Sequence, residues 1–408
     1  MVLVTAWLAL RLSGQSKTLG PSTLEDAVEF NTHVALVETG GSHDEVTAAL
    51  YYAIGSVPCV YTSMYLALPR FGIENVYAWI RRRYKLSPYS ISQPFLFHGN
   101  DTVAPPDAII LATCEHDVYA VDRTLQYHFE HGSKYQTLVC VIHHVDGFRS
   151  VEERVRRWAR AGRLRFLTLS THTAHELRKE VNEFGQVYQA IDIDVFPPVF
   201  PVPFNPTPST SDKLSIAIQG NFEDTRRDYL KTLLNFERMI EELPEPIVSR
   251  IHFTLAGTGK KVGVPAKVMP YISVNFSLDF IPYYNLLHES FALIPAFADE
   301  AYYSVKASSS VAASLIANTP ILGSQRLLDS YGYLTRESMW HVEAVEQSEM
   351  NAVYELLRQH FDDDGHERSS WKSAVNERKQ AAKTRALELM KENARLMQDI
   401  VLKQGSTS

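Results

Sequence analysis

The sequence predicts an α/β protein built from two parallel-sheet halves. Three observations carry this. Short apolar, strand-like runs alternate with helix-period runs along most of the chain, the pattern of parallel sheets covered on both faces. The alternation breaks once, at 196–212, where Pro197, Pro198, Pro201, Pro203, Pro206 and Pro208 leave neither period. Polar loops follow strands in both halves, and open α/β sheets bind ligands at the carboxyl ends of their strands.

The 408 residues exceed one ordinary core. The expected division is a first domain at 1–196, a linker at 197–212, a second domain at 213–365 and a C-terminal helix at 366–408, packing back on the first domain. Hydrophobic content of 45% and charged content of 21% are those of a soluble globular protein. A formal net charge of −7 gives no electrostatic case for nucleic acid. Cys59, Cys114 and Cys140 lie in or beside apolar runs without CxxC spacing, so buried free thiols are expected. Val2–Leu10 is apolar but well short of the ~20 residues of a membrane span. It also lacks the positively charged start of a signal peptide. A cytoplasmic chain is expected; a Golgi or ER chain held by a truncated anchor is the alternative. Asn100 and Asn275 begin glycosylation triplets of a kind that chance supplies often.

In chain order, residues 14–30 read as a loop and short helix, and His33–Glu38 as the first strand. Gly40 and Gly41 follow, either a plain strand-to-helix turn or a close approach to a ligand. A helix spans Asp44–Ile54 and a strand Pro58–Tyr65. Tyr77–Tyr84 is helical, with Arg81, Arg82 and Arg83 on a solvated face. Ala108–Thr113 is a strand followed by Glu115, His116 and Asp117. Gln136–Ile142 is a strand running into His143 and His144. Asp146 and Gly147 turn the chain, and Ser150 with Glu153 forms a capping box for a helix to Arg160. Arg163–Leu169 is a strand ending at Ser170; a helix follows from His172 to Glu183, then a strand at Val187–Ile193.

After the proline-rich break, Leu214–Gln219 is a strand, with Gly220 and Asn221 in its loop and a helix from Thr225 to Glu242. Ile251–Ala256 is a strand, and Gly257–Lys261 departs from a Walker loop. Ile272–Phe276 is a strand and Pro282–Ser290 a helix. Phe291–Ala296 then reads as a strand, with Asp299, Glu300 and Lys306 in the loop after it. A helix opens at Ser308, Ser309 and Ser310 and stops at Asn318 and Pro320, before a strand at Ile321–Gly323. A helix start carries unpaired N–H groups and partial positive charge. With three hydroxyls and an ammonium beside it, it can seat a diphosphate; an ordinary serine cap is the other reading. Helices at Glu349–His360 and Ser369–Leu402 close the chain.

Together these pieces resemble the GT-B glycosyltransferases, in particular the family-4 type and its fungal relatives, over roughly His33 to Val401. The residues that carry the resemblance are Pro295, Asp299 or Glu300, the Ser308 helix and Asn318-Thr319-Pro320. It implies two Rossmann-like domains facing each other across a cleft. It also implies a hexosyltransferase that moves a sugar from a nucleotide-sugar donor to an acceptor hydroxyl, retaining configuration without a metal. No cofactor is expected, since the nucleotide sugar is a co-substrate. The acceptor is a glycan, lipid or protein, with peripheral membrane association left open.

By the same resemblance, His143, His144 and Glu300 are catalytic. The donor is held by Gly220, Asn221, Arg226, Arg227, Gly257, Gly259, Lys306, Ser308, Ser309 and Ser310. Gly40, Gly41 and Ser170 border the cleft. The family's second glutamate, eight residues after the first, is missing; Ala307 and Ser308 stand there. That departure supports a catalytically silent nucleotide-sugar-binding protein as the alternative. Asp192-Ile193-Asp194 matches the DxD metal motif of the other transferase fold but here only finishes a strand.

Overall fold

The computed structural model describes residues 31–98, 105–204, 213–368 and 371–402. The readings at 14–30, Val2–Leu10 and Asn100 lie outside them. Seven parallel strands form one sheet: β1 (Thr32–Glu38), β2 (Val60–Leu66), β3 (Tyr89–Ser92), β4 (Ala108–Leu111), β5 (Thr137–Ile142), β6 (Leu164–Thr168) and β7 (Ile193–Val195), in the order 3-2-1-4-5-6-7. Its helices are α1 (Asp44–Gly55), α2 (Ile73–Tyr84), α3 (Cys114–Ala120), α4 (Asp122–His131), α5 (Val145–Arg160) and α6 (Thr171–Glu183). Six more parallel strands form a second sheet: β8 (Leu214–Phe222), β9 (Ile251–Gly259), β10 (Ile272–Phe276), β11 (Ala292–Leu293), β12 (Ile321–Gly323) and β13 (Met339–His341), in the order 10-9-8-11-12-13. With it come α7 (Tyr229–Glu242), α8 (Glu245–Val248), α9 (Phe280–Glu289), α10 (Ser309–Ile316), α11 (Gln325–Ser330), α12 (Glu349–His360) and α13 (Trp371–Leu402).

Both sheets are covered on both faces, and single strands show it. Val34 and Leu36 of β1 join one apolar cluster, while Ala35 and Val37 join another. Ala217 of β8 faces one cluster, and Ile216 and Ile218 face a second. This is the two-sheet, Rossmann-like α/β architecture of the GT-B fold. In each sheet the strand order reverses once, between β1 and β4 and between β8 and β11. Those reversals leave crevices at the strand ends.

Several expectations change. Cys114 and Cys140 form a disulfide rather than standing as buried thiols, and Cys59 is exposed. The pairing of β4 with β5 brings the first two together. Val187–Ile193 is not a strand: Gly185 breaks the chain at φ 108°, and the Tyr188 hydroxyl turns inward to donate to Glu152 Oε1 at 2.6 Å. No capping box forms at Ser150 and Glu153, because α5 begins eight residues before Glu153, at Val145, with Asp146 and Gly147 in its first turn. The 291–296 run keeps only Ala292–Leu293 as strand.

The described part of the proline-rich crossover, up to residue 204, is packed rather than loose. Phe196, Val199, Phe200 and Val202 are buried, and Asn393 of α13 donates to the Pro197 carbonyl at 2.8 Å. α13 lies against α1 and α10, so it touches helices from both sheets.

One contact between β8 and β9 leaves no room for a side chain. A Cβ on Gly257 would stand 1.7 Å from the Gly220 carbonyl oxygen. Gly257→Ala should therefore destabilise the fold by about 1–3 kcal/mol or more, the usual cost of overpacking. Gly263→Ala meets nothing within 4 Å and should be neutral. Paired thermal melts check this; equal melting temperatures would contradict it.

Candidate functional site

A cavity of about 640 Å³ lies between the two sheets, at the carboxyl ends of their strands. It is lined from one sheet by residues after β1, β4 and β5, and from the other by residues after β8, β9 and β10 and by the start of α10. It thus sits over both strand-order reversals.

On the seven-stranded side, Gly41 at φ 60° donates its N–H to Glu38 Oε2 at 2.9 Å. This folds the loop so that His43 reaches the cavity. Gly40 and Gly41 themselves do not line it. The His43 and His143 rings meet at 4.1 Å. Burial, followed by charge repulsion with His143, Arg226, His116 and Arg70, holds His43 well below the ordinary imidazole range.

His143 faces the Ala112 carbonyl through Nε2 at 2.7 Å. A carbonyl only accepts, so Nε2 carries the proton and Nδ1 keeps a lone pair. Burial lowers His143 to about 4, so the ring is neutral near pH 7. His144 is half-exposed, with its Nε2 3.4 Å from Asp146.

Glu115, at the start of α3, organises this wall. Its Oε1 accepts the N–H groups of His143 at 2.6 Å and His144 at 2.8 Å. Its Oε2 is buried without a hydrogen-bond partner. Burial pushes the carboxyl up to about 7. Glu45 is likewise pushed up to about 7, and Asp44, beside Arg70, up to about 6.

On the six-stranded side, Lys306, Ser308 and Ser309 line the cavity together with Gly220, Asn221, Gly257, Arg226 and Arg227. The Lys306 ammonium lies 5.0 Å from the centre of the Tyr302 ring. Arg226 pairs with Glu223 at 2.8 Å. Arg227 is buried: one terminal nitrogen donates to Ser308 Oγ at 3.3 Å and Ser310 Oγ at 2.8 Å. Its guanidinium also stands 5.2 Å from the Tyr302 ring centre and 5.5 Å from that of Phe297. Ser308 Oγ caps α10 by accepting from the Ser310 N–H.

Other expected residues fall elsewhere. Glu300 is exposed, pairs with Arg326 and does not line the cavity, because a 3-10 turn started by Asp299 carries it outward. Ser310 is fully buried, its hydroxyl taken by Arg227 and Gln219. Gly259, with φ 116° at the end of β9, does not reach the cavity. Ser170 is buried beneath α6 and bonds Thr173 at 2.9 Å. Asp192 and Asp194 both pair with Arg165, at 3.1 and 3.0 Å. His43, Glu45 and Glu115 were not among the expected site residues. Their only sequence signal was a polar residue just after an apolar strand.

The two halves touch directly beside the cavity. The Val145 N–H donates to the Val305 carbonyl at 2.9 Å, and the Ala307 N–H to the His143 carbonyl at 3.3 Å. His172 of α6 places Nδ1 2.8 Å from the Ser330 carbonyl and Nε2 3.1 Å from the Lys306 carbonyl.

No protein-family model and no curated protein matches the sequence. Solved structures do match in three dimensions. The Anabaena protein HepE, in complex with UDP and glucose, matches with a TM-score of 0.57 and 8% identity, over 90% of this chain and 99% of that one. The N-terminal domain of Candida albicans trehalose-6-phosphate phosphatase gives 0.52 and 9%, over 94% and 99%. An E. coli trehalose-6-phosphate protein bound with UDP-2-fluoro glucose gives 0.51 and 10%, over 91% and 100%. At such identities the likeness establishes the GT-B fold; the family-4 and fungal kinship stays with the sequence resemblance.

The raised carboxyl of Glu115 has a measurable consequence. Its folded pKa, about 7, lies above the ordinary 4.5. The native state therefore holds a proton that the unfolded chain releases, and stability is lost as pH rises from about 4.5 through 7. Glu115→Gln keeps an oxygen for both N–H groups and removes the ionisation. Relative to wild type, the variant should gain up to about 3 kcal/mol between pH 5 and pH 8. Denaturant unfolding at both pH values checks this; a constant difference would show that Glu115 is not held protonated.

Proposed function

We propose that this protein is a glycosyltransferase of the hexosyltransferase type, moving a sugar from a nucleotide-sugar donor to an acceptor hydroxyl. The observation that carries the reading is the cavity over both strand-order reversals, with cationic and helix-start groups on one wall and neutral imidazoles on the other. HepE, solved with UDP, UDP-glucose and glucose, supports a nucleotide-sugar ligand for this fold.

In this reading the donor diphosphate meets Lys306, Ser309 and the start of α10, and Arg226 swings from Glu223 to help. Charge on the leaving diphosphate is then stabilised by the protein itself. Arg227 acts indirectly, holding Ser308 and Ser310 in place. The glycine pair Gly220 and Gly257 keeps β8 and β9 close enough for the backbone to approach the donor. His143 offers a neutral Nδ1 lone pair to a sugar or acceptor hydroxyl, and His43 and Glu115 complete that wall. Glu300 has no part in the chemistry. The transfer is retaining and metal-independent, and the protein acts in the cytoplasm.

A second reading, a catalytically silent binding protein, is favoured by one observation: Ala307 and Ser308 stand where a carboxylate for the donor ribose is expected. Turnover of a nucleotide-sugar panel separates the two readings. In the first, sugar is released or transferred; in the second, nucleotide sugars bind without turnover. EDTA should leave turnover intact; loss restored by manganese would overturn the metal-independent part.

Lys306→Ala tests the diphosphate seat. A charge-assisted hydrogen bond is worth roughly 1.5–3 kcal/mol, so nucleoside-diphosphate binding should weaken about 10- to 150-fold. Bare nucleoside should bind as before. Equal losses for both ligands, read by calorimetry, would reduce Lys306 to a structural role.

A further inference from the structure

Gln219 lies near the end of β8, in the middle of the six-stranded sheet, and is buried. It stands two residues after Ala217, so its side chain leaves the strand on the same face. There it meets α9 and α10. A buried amide is costly unless its oxygen and both of its N–H groups are bonded. Here all three are. The Tyr283 hydroxyl of α9 lies 2.6 Å from Oε1. Nε2 lies 3.2 Å from Ser309 Oγ and 2.9 Å from Ser310 Oγ, at the start of α10.

These distances fix which way the amide faces. The 2.6 Å contact suits O–H···O and is short for N–H···O, whose usual range begins at about 2.7 Å. The 3.2 Å contact suits N–H···O and is long for O–H···O, whose range ends at about 3.0 Å. The phenol therefore donates to Oε1, and the amide N–H groups point at the serines. Burial pushes the Tyr283 pKa up, so the phenol keeps its proton. Ser310 Oγ also receives a guanidinium N–H from Arg227 at 2.8 Å, so both of its lone pairs are taken. Ser309 Oγ receives one N–H and is exposed at the cavity wall. Among the described residues, its own O–H meets no acceptor.

We propose that Tyr283 is a positioning residue for the ligand, fixing Ser309 as a hydrogen-bond donor through Gln219. The Ser309 O–H is then left for the ligand, in the cavity that Lys306 also lines. Hydroxyl and ammonium together offer donors alone. Resting on the glycosyltransferase reading, such a seat takes an oxygen that only accepts, a phosphoryl oxygen of the donor diphosphate. A sugar hydroxyl, which must also donate, is served less well there. Without the phenol O–H, nothing holds the amide in this sense. Turned over, its Oε1 accepts the Ser309 O–H, and the serine shows the phosphate a lone pair instead.

The test is a pair of double-mutant cycles on the full chain, read by calorimetry. UDP, GDP, ADP and CDP are titrated first, and the one bound most tightly is the probe. Tyr283→Phe and Ser309→Ala should each weaken its binding about tenfold, near the low end of what a hydrogen bond to a charged group contributes. The double variant should also lose about tenfold, where independent sites would lose about a hundredfold. Lys306→Ala should lose as much in the Tyr283→Phe background as in wild type, because the ammonium does not depend on the amide. A phenol that only props up the fold would loosen the whole seat and change that loss. Additive losses, full binding by Tyr283→Phe, full binding by Ser309→Ala, or a Lys306→Ala loss that depends on Tyr283 would each overturn the proposal and leave the transferase reading standing. A wild type that binds none of the four removes the diphosphate seat itself, and the proposal falls with it.

Discussion

A buried guanidinium holds one wall of the cavity in place. Arg227 reaches from the loop after β8 to the start of α10, binding Ser308 and Ser310. Phe297 and Tyr302 flank it. A charge placed in such surroundings is costly unless it is bonded and faced by aromatic rings. Those same bonds fix the two serines and so the first turn of α10. Removing the guanidinium leaves two hydroxyls and two aromatic faces without their shared partner. Lys306 is tied to it through Tyr302, whose ring both cations face.

The opposite wall is fixed by a carboxyl rather than a cation. Glu115 bonds the two N–H groups that lead into α5, and the same bonds set the direction in which His143 and His144 leave β5. The second oxygen stays unpaired, and burial favours its neutral form. Across the cavity, a permanently charged arginine faces the His43 and His143 imidazoles, which burial keeps neutral at pH 7. The asymmetry suits a ligand with a charged end and a hydroxyl-rich end.

Much of this fold was legible in the sequence because apolar strands and helix-period runs leave strong local signals. His33–Glu38, Ile272–Phe276 and Glu349–His360 fall within a residue of their observed limits. β3 and β13 were not legible: Tyr89–Ser92 and Met339–His341 are too short for a period to show. The disulfide was invisible because strand pairing, not spacing, brings Cys114 to Cys140. Of the expected glycines, lysine and serines, Gly220, Gly257, Lys306, Ser308 and Ser309 line the cavity, while Gly40, Gly41, Gly259, Ser170 and Ser310 do not. Glu300 misled because a single 3-10 turn decides whether a loop carboxylate faces in or out. Ser310 reaches only its neighbours, while Arg227 lines the cavity with its guanidinium tied to Ser308 and Ser310, a distinction that depends on side-chain burial and leaves no sequence pattern.

The contacts beside Lys306 divide the work of holding this molecule together. On this side the Val145–Val305 and Ala307–His143 backbone bonds and the His172 ring join the loops of the two halves, and Val305 packs against an apolar cluster of the seven-stranded sheet. Burial keeps His172 below its ordinary pKa, and a neutral imidazole has one N–H for two carbonyls. The three hydrogen bonds, each worth about 0.5–1.5 kcal/mol net, act together with that apolar contact. To open on this side, the loops must give up those bonds and lift Val305 from its cluster together.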